Sequence, residues 1–130
     1  MDERVFFAAA PSYSQSAVDD AVEGLFRQLP AAVLLAPGKK VLLKPNLLSG
    51  TAPEKAVTTH PAVVAAVIRA AKRRGVAPAD ITVADSPGGP HASGLVKSAW
   101  KASGIAAVCA EEGVNLYTGT ASGEAPKAEG

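Results

Sequence analysis

Short apolar runs alternating with segments of helical period constrain this chain more than any other feature. Runs at residues 5–10, 41–44, 81–84 and 114–117 read as strands. Between them lie stretches whose apolar residues recur every three to four positions. The order is β-α-β-α-β-α-α-β. Such alternation needs crossover connections, which predicts a Rossmann-like three-layer α/β domain with a mainly parallel sheet of about four strands. Val41-Leu42-Leu43 is apolar at consecutive positions and predicts a strand buried on both faces. Pro45 stops it by removing a backbone donor.

The helices carry their own boundary signals. Pro61 suits a first helical turn, because its missing N–H would have no partner there. Val64, Val67, Ile68 and Ala71 then form one stripe. Lys72, Arg73 and Arg74 sit where the carbonyl end favours cations, and Gly75 suits the position beyond it. Ser16 followed by Asp19 fits a capping pattern at the start of an earlier helix, which Pro30 ends. Val18, Val22, Leu25, Phe26 and Leu29 form its apolar stripe. Residues 31–35 read either as a further helical turn or as a packed loop. A helix near residues 93–103 turns Leu95, Val96, Ala99 and Trp100 inward, and Gly104 separates it from another at 105–112. Cys109 falls on the apolar side with Ile105 and Val108, as a buried thiol. The α/β domain is expected over residues 1–118. Residues 119–130 lack core-forming side chains and read as a loose tail or a truncated connection.

Composition removes several functional classes. A chain of 130 residues, 48% hydrophobic, can bury a core without disulfide or metal. Its 13 basic and 12 acidic residues leave a net charge of +1, no electrostatic case for nucleic acid or an anionic membrane. The lone cysteine favours a reducing compartment. With no 18-residue apolar run and an acidic start at Asp2 and Glu3, a cytoplasmic protein is expected. One cysteine cannot supply the four thiolates usual for an iron–sulfur cluster. The glycine-rich dinucleotide and P-loop fingerprints, paired zinc-ligand spacings and the serine nucleophile elbow are all absent from the sequence.

Ligands of open parallel sheets gather beyond the carboxyl ends of the strands. Three polar segments arrive there. They are Lys44-Pro45-Asn46, Thr58-Thr59-His60 before the Pro61 helix, and Asp85 to His91, containing Ser86, Gly88 and Gly89. Lys44 offers a point charge, the helix start offers N–H groups, and the glycines allow close backbone approach. The set Lys44, Asn46, Thr58, Thr59, His60, Asp85, Ser86, Gly88 and Gly89 is therefore the candidate binding site, for an anionic small molecule or cofactor. Asp85 would orient Lys44 or accept from a sugar hydroxyl. Plainer readings stand beside these: a turn at Pro45-Asn46, a helix cap at Thr58 or Thr59, a loop cap at Asp85. His60, Asp85 and His91 as a metal site is a weaker alternative, since loop histidines are more often solvated.

Taken in order, Val41-Leu42-Leu43-Lys44-Pro45-Asn46-Leu47, Thr58-Thr59-His60-Pro61 and Val83-Ala84-Asp85-Ser86-Pro87-Gly88-Gly89 resemble the successive signatures of domain-of-unknown-function family 362. The resemblance runs from about Val5 to Tyr117. It implies the N-terminal portion of a longer architecture, in which many members carry a ferredoxin-like region with two [4Fe–4S] clusters. It also implies a distant similarity to the cofactor domain of nickel-pincer lactate racemase, whose equivalent loops meet a phosphate-bearing cofactor. The expected function is the N-terminal half of a redox-linked, iron–sulfur-associated protein. The alternative is a non-catalytic scaffold that docks a ferredoxin-like partner or a second copy of itself as a homodimer.

Overall fold

The computed structural model describes residues 3–85 and 93–118. Helix α1 (Gln15–Gln28) is followed by a 3-10 turn at Pro30–Leu34, strand β1 (Val41–Leu43) and helix α2 (Pro61–Arg73). Strand β2 (Ile81–Val83), helices α3 (Ser93–Ala102) and α4 (Ile105–Glu112), and strand β3 (Asn115–Leu116) complete the order. The three strands lie in sequence order and pair in parallel, Val41 with Ile81 and Val83 with Leu116. No helix among the described residues is long and apolar enough to cross a membrane.

The mixed α/β class and the parallel sheet hold, but the sheet has three strands among the described residues and not the four expected. Residues 5–10 form no strand; Val5 is 74% and Phe7 85% exposed. Their apolar character favours a strand, but a strand exists only where another chain segment takes its hydrogen bonds. β1 is also not buried on both faces. Partnered residues share a face, so Val41, Ile81, Leu43, Val83 and Leu116 line one side and pack into the core, whereas Leu42 on the other is 58% exposed.

Strand order explains the difference. Right-handed crossovers that add strands in one direction put every helix on the same face. Covering the second face requires the order to reverse, as it does in doubly wound sheets. The order β1-β2-β3 has no reversal, and α2, α3 and α4 all contribute to the cluster around Ile81 and Val83.

α2 is the centre of this arrangement. Val64, Ile68 and Ala71 meet the sheet, while Ala62 and Ala66 meet Val18 of α1. Each fully buried large aliphatic contributes about 1.5–3 kcal/mol, and the alanines let α1 come close. Where the flanks would reach water, charges tie the helices together. Arg69 bridges Asp19 of α1 and Glu112 of α4, Lys72 adds a second contact to Glu112, and Arg74 grips Glu23. After α2 the chain turns through Gly75 at φ +91°, where a Cβ would lie 2.6 Å from the Pro37 ring.

Other expectations need correction. Ser16 does not cap α1; the helix begins one residue earlier, and Gln15 instead binds Asp19 and the Ala62 carbonyl. Leu95 is 52% exposed rather than inward, while Val96, Ala99 and Trp100 are buried as expected. Cys109 is buried too, which pushes its thiol up to about 11.

Candidate functional site

β1 and β2 end side by side, and the residues just past them build the polar cluster. Lys44 and Asp85 follow neighbouring parallel strands, so their side chains start within reach of each other. Lys44 Nζ lies 2.8 Å from Asp85 Oδ1. The other carboxylate oxygen, Oδ2, accepts a 2.8 Å hydrogen bond from the Leu47 backbone N–H. Asp85 is 7% exposed and Lys44 74%. The acid is thus fixed inside the loop, and the ammonium it holds stands in water.

The second segment joins through Thr59. Its Oγ1 accepts from the Asn46 backbone N–H at 2.9 Å, and its own N–H donates to the Asn46 carbonyl at 2.9 Å. This two-way clamp places Thr59 beside Lys44, where both line a cavity of about 170 Å³. The rest of its lining is aliphatic: Leu43 and Pro45 from the strand side, Val63, Val64 and Val67 from α2.

Not every predicted residue converges. Thr58 Oγ1 donates to the Ser49 carbonyl and so braces the 46–59 loop. Neither threonine caps α2; His60 does, its Nδ1 accepting from the Ala62 N–H at 3.1 Å. The His60 ring stacks on Tyr13 at 3.9 Å between centroids and 4° between planes. The start of α2 is therefore less open to an anion than its position suggests. Pro61 has no N–H, Ala62 gives its own to His60, and Val63 gives its own to the His60 carbonyl. Ser86, Gly88, Gly89 and His91 lie outside the described residues.

Cofactor chemistry can be judged on the donor set. No group of three His, Cys, Asp or Glu side chains among the described residues is placed to hold a metal ion. His60 Nδ1 and the Asp85 carboxylate are both engaged in the contacts above. A single buried thiol, made hard to ionise by its surroundings, does not fit a [4Fe–4S] cluster.

Sequence reasoning missed four participants. The Leu47 N–H, second partner of Asp85, left no signal beyond following Asn46. Val67 shows as a helix-stripe position and Val63 lies beside the stripe, which does not say which of its sides meets the strand end. Tyr13 meets His60 across 46 intervening positions, which no local pattern encodes.

The family model described as Domain of unknown function (DUF362) matches residues 41–129. The thylakoid-associated protein sll1697 of Synechocystis sp. is 42% identical over 62 residues, which cover 48% of this chain. The matched stretch is 18% of that relative's length. No solved structure matches the chain, so the similarity to the lactate racemase domain is not shown.

Proposed function

Since this chain belongs to the DUF362 family, we propose that it is the N-terminal α/β portion of a redox-linked protein and binds an anionic ligand or cofactor at Lys44. The carrying observation is the Lys44–Asp85 pair at the carboxyl edge of a parallel sheet. A carboxylate held by its own loop aims a 74% exposed ammonium outward, and that edge is where such sheets take their ligands. An ammonium has three donors, so the contact to Asp85 leaves others for a ligand. The iron–sulfur association rests on the family resemblance, and any cluster would sit on a region or partner supplying its own cysteines. A reducing, cytoplasmic setting suits the lone thiol.

The test is an NMR titration with inorganic phosphate, a nucleotide and acetate, each monitored at the backbone amides of Lys44, Asn46, Leu47, Thr59 and Asp85. Saturable shifts at these amides, absent in Lys44→Met, are expected. A panel that moves none of them contradicts the reading.

A scaffold role is the second reading, and Leu42 favours it. An isolated exposed apolar residue is unremarkable, but Leu42 is the middle residue of a sheet strand and is 58% exposed. A fourth strand and a second helical layer, from a ferredoxin-like domain or a second copy of the chain, would cover it and complete a three-layer fold. Leu42→Lys should then abolish association in sedimentation while leaving anion binding intact. A purely enzymatic domain would show no association to lose.

A further inference from the structure

The outer edge of β1 and the arm that precedes α1 are both unpaired in one copy of the chain, and each suits the other. We propose that two copies exchange arms in a two-fold dimer. The tip of each arm, Arg4-Val5-Phe6, adds as a parallel strand to Val41-Leu42-Leu43 of the other copy. The proposal rests on the scaffold reading, to which it gives a partner and a contact, and does not require the anion site.

Four observations lead there. First, β1 has β2 on one side and no strand on the other among the described residues. Such an edge offers a row of unpaired backbone N–H and C=O groups. Second, the arm is rich in strand-forming residues that stand in water, Val5 at 74% and Phe7 at 85% exposure. Third, its root is held away from the sheet. Tyr13 stacks on His60, and Ala8 and Ala10 share a hollow with Val18, Val22 and Leu25 of α1. The tip beyond that root is left to meet a neighbour. Fourth, the charges match. Glu3 precedes the tip and Lys39-Lys40 precede β1, all three exposed. Parallel pairing with Glu3 opposite Lys40 attracts, and it sets Val5 opposite Leu42. Opposed residues share a face, so Val5 covers the outward leucine, while Phe6 joins Leu43 on the core side. Phe7 then lies past the strand end, beside the aliphatic stem of Lys44. Two β1 edges paired directly and antiparallel about Leu42 would instead oppose Lys40 and Lys44, which repel. Reciprocal exchange closes the pair, so no further copy is recruited.

The experiment is sedimentation velocity of the full chain over micromolar to millimolar concentrations, joined to NMR on a mixture of isotope-labelled and unlabelled chains. A monomer–dimer equilibrium is expected, with contacts between the Val5 methyls of one chain and the Leu42 methyls of the other. Val5→Asp should abolish the dimer and leave the thermal melt unchanged, since the residue is exposed. Glu3→Lys should weaken association by up to about fivefold for each of the two contacts, and adding Lys40→Glu should restore it. Contacts from Val5 to Leu42 found only within one chain would overturn the exchange. A dimer indifferent to Val5→Asp but lost in Leu42→Lys would also overturn it, and would leave the scaffold reading standing. A chain that stays monomeric at every concentration overturns the proposal and leaves that reading only its ferredoxin-like partner.

Discussion

Asp85 and Lys44 form one ion pair but have unequal structural duties. Asp85 also satisfies the N–H of Leu47, a residue only 1% exposed. Asp85→Ala strands that buried donor and should cost about 1–3 kcal/mol in denaturant unfolding. Asp85→Asn keeps a carbonyl oxygen for Leu47 and should cost much less. His60 has a duty to the fold as well. As the side-chain cap of α2, it should tolerate Asn, a strong capping residue, and lose about 0.5–2 kcal/mol as Ala. The closeness of Lys44 and Asp85 was legible in the sequence, because residues after adjacent parallel strands must be neighbours. The use of Thr58 and Thr59 was not legible. Their hydroxyls serve the carbonyl of Ser49 and the N–H of Asn46, partners chosen by the path of the loop.

Among the elements, α2 was the most readable, since a proline start, an apolar stripe and a basic end all agree on Pro61–Arg73. Its ion pairs were not readable, because they reach Asp19, Glu23 and Glu112 on other helices. These pairs have a pH signature. The hydrogen bond from Arg74 holds the Glu23 carboxyl below its ordinary 4.5. Burial alone would raise Glu112, but hydrogen bonds from Lys72 and Arg69 outweigh it and bring that carboxyl below 4.5 as well. A depressed folded value means that the unfolded chain takes up protons first. The pairs therefore stabilise fully above that ordinary value, and their contribution fades as pH falls through the lower folded ones. Unfolding free energy measured against pH should decline below pH 4.5, and Glu112→Gln should flatten the decline. At the end of α2, Gly75→Ala meets both a positive φ and the Pro37 ring. It should destabilise by about 1–3 kcal/mol in the same measurement.

For the molecule as a whole, local pattern established the α/β class and the parallel pairing, but not the number of layers. Apolar runs at residues 5–10 and 41–43 look alike in sequence, yet only the second has a strand to pair with. Burial of both sheet faces depends on strand order, a global property, and here that order leaves Leu42 outward. The same topology brings two strand ends together, and with them a cation that a buried carboxylate presents to solvent. The central claim is that Lys44 serves a ligand and not the fold. Thermal melting and anion titration of Lys44→Met, each against wild type, test it most directly. The Lys44 ammonium stands in water at 74% exposure, which limits the pair to about 0–1 kcal/mol, so the midpoint should fall by no more than about 4 °C while anion binding disappears. A large drop in the midpoint with anion binding retained would contradict the account and make Lys44 a brace between strand ends.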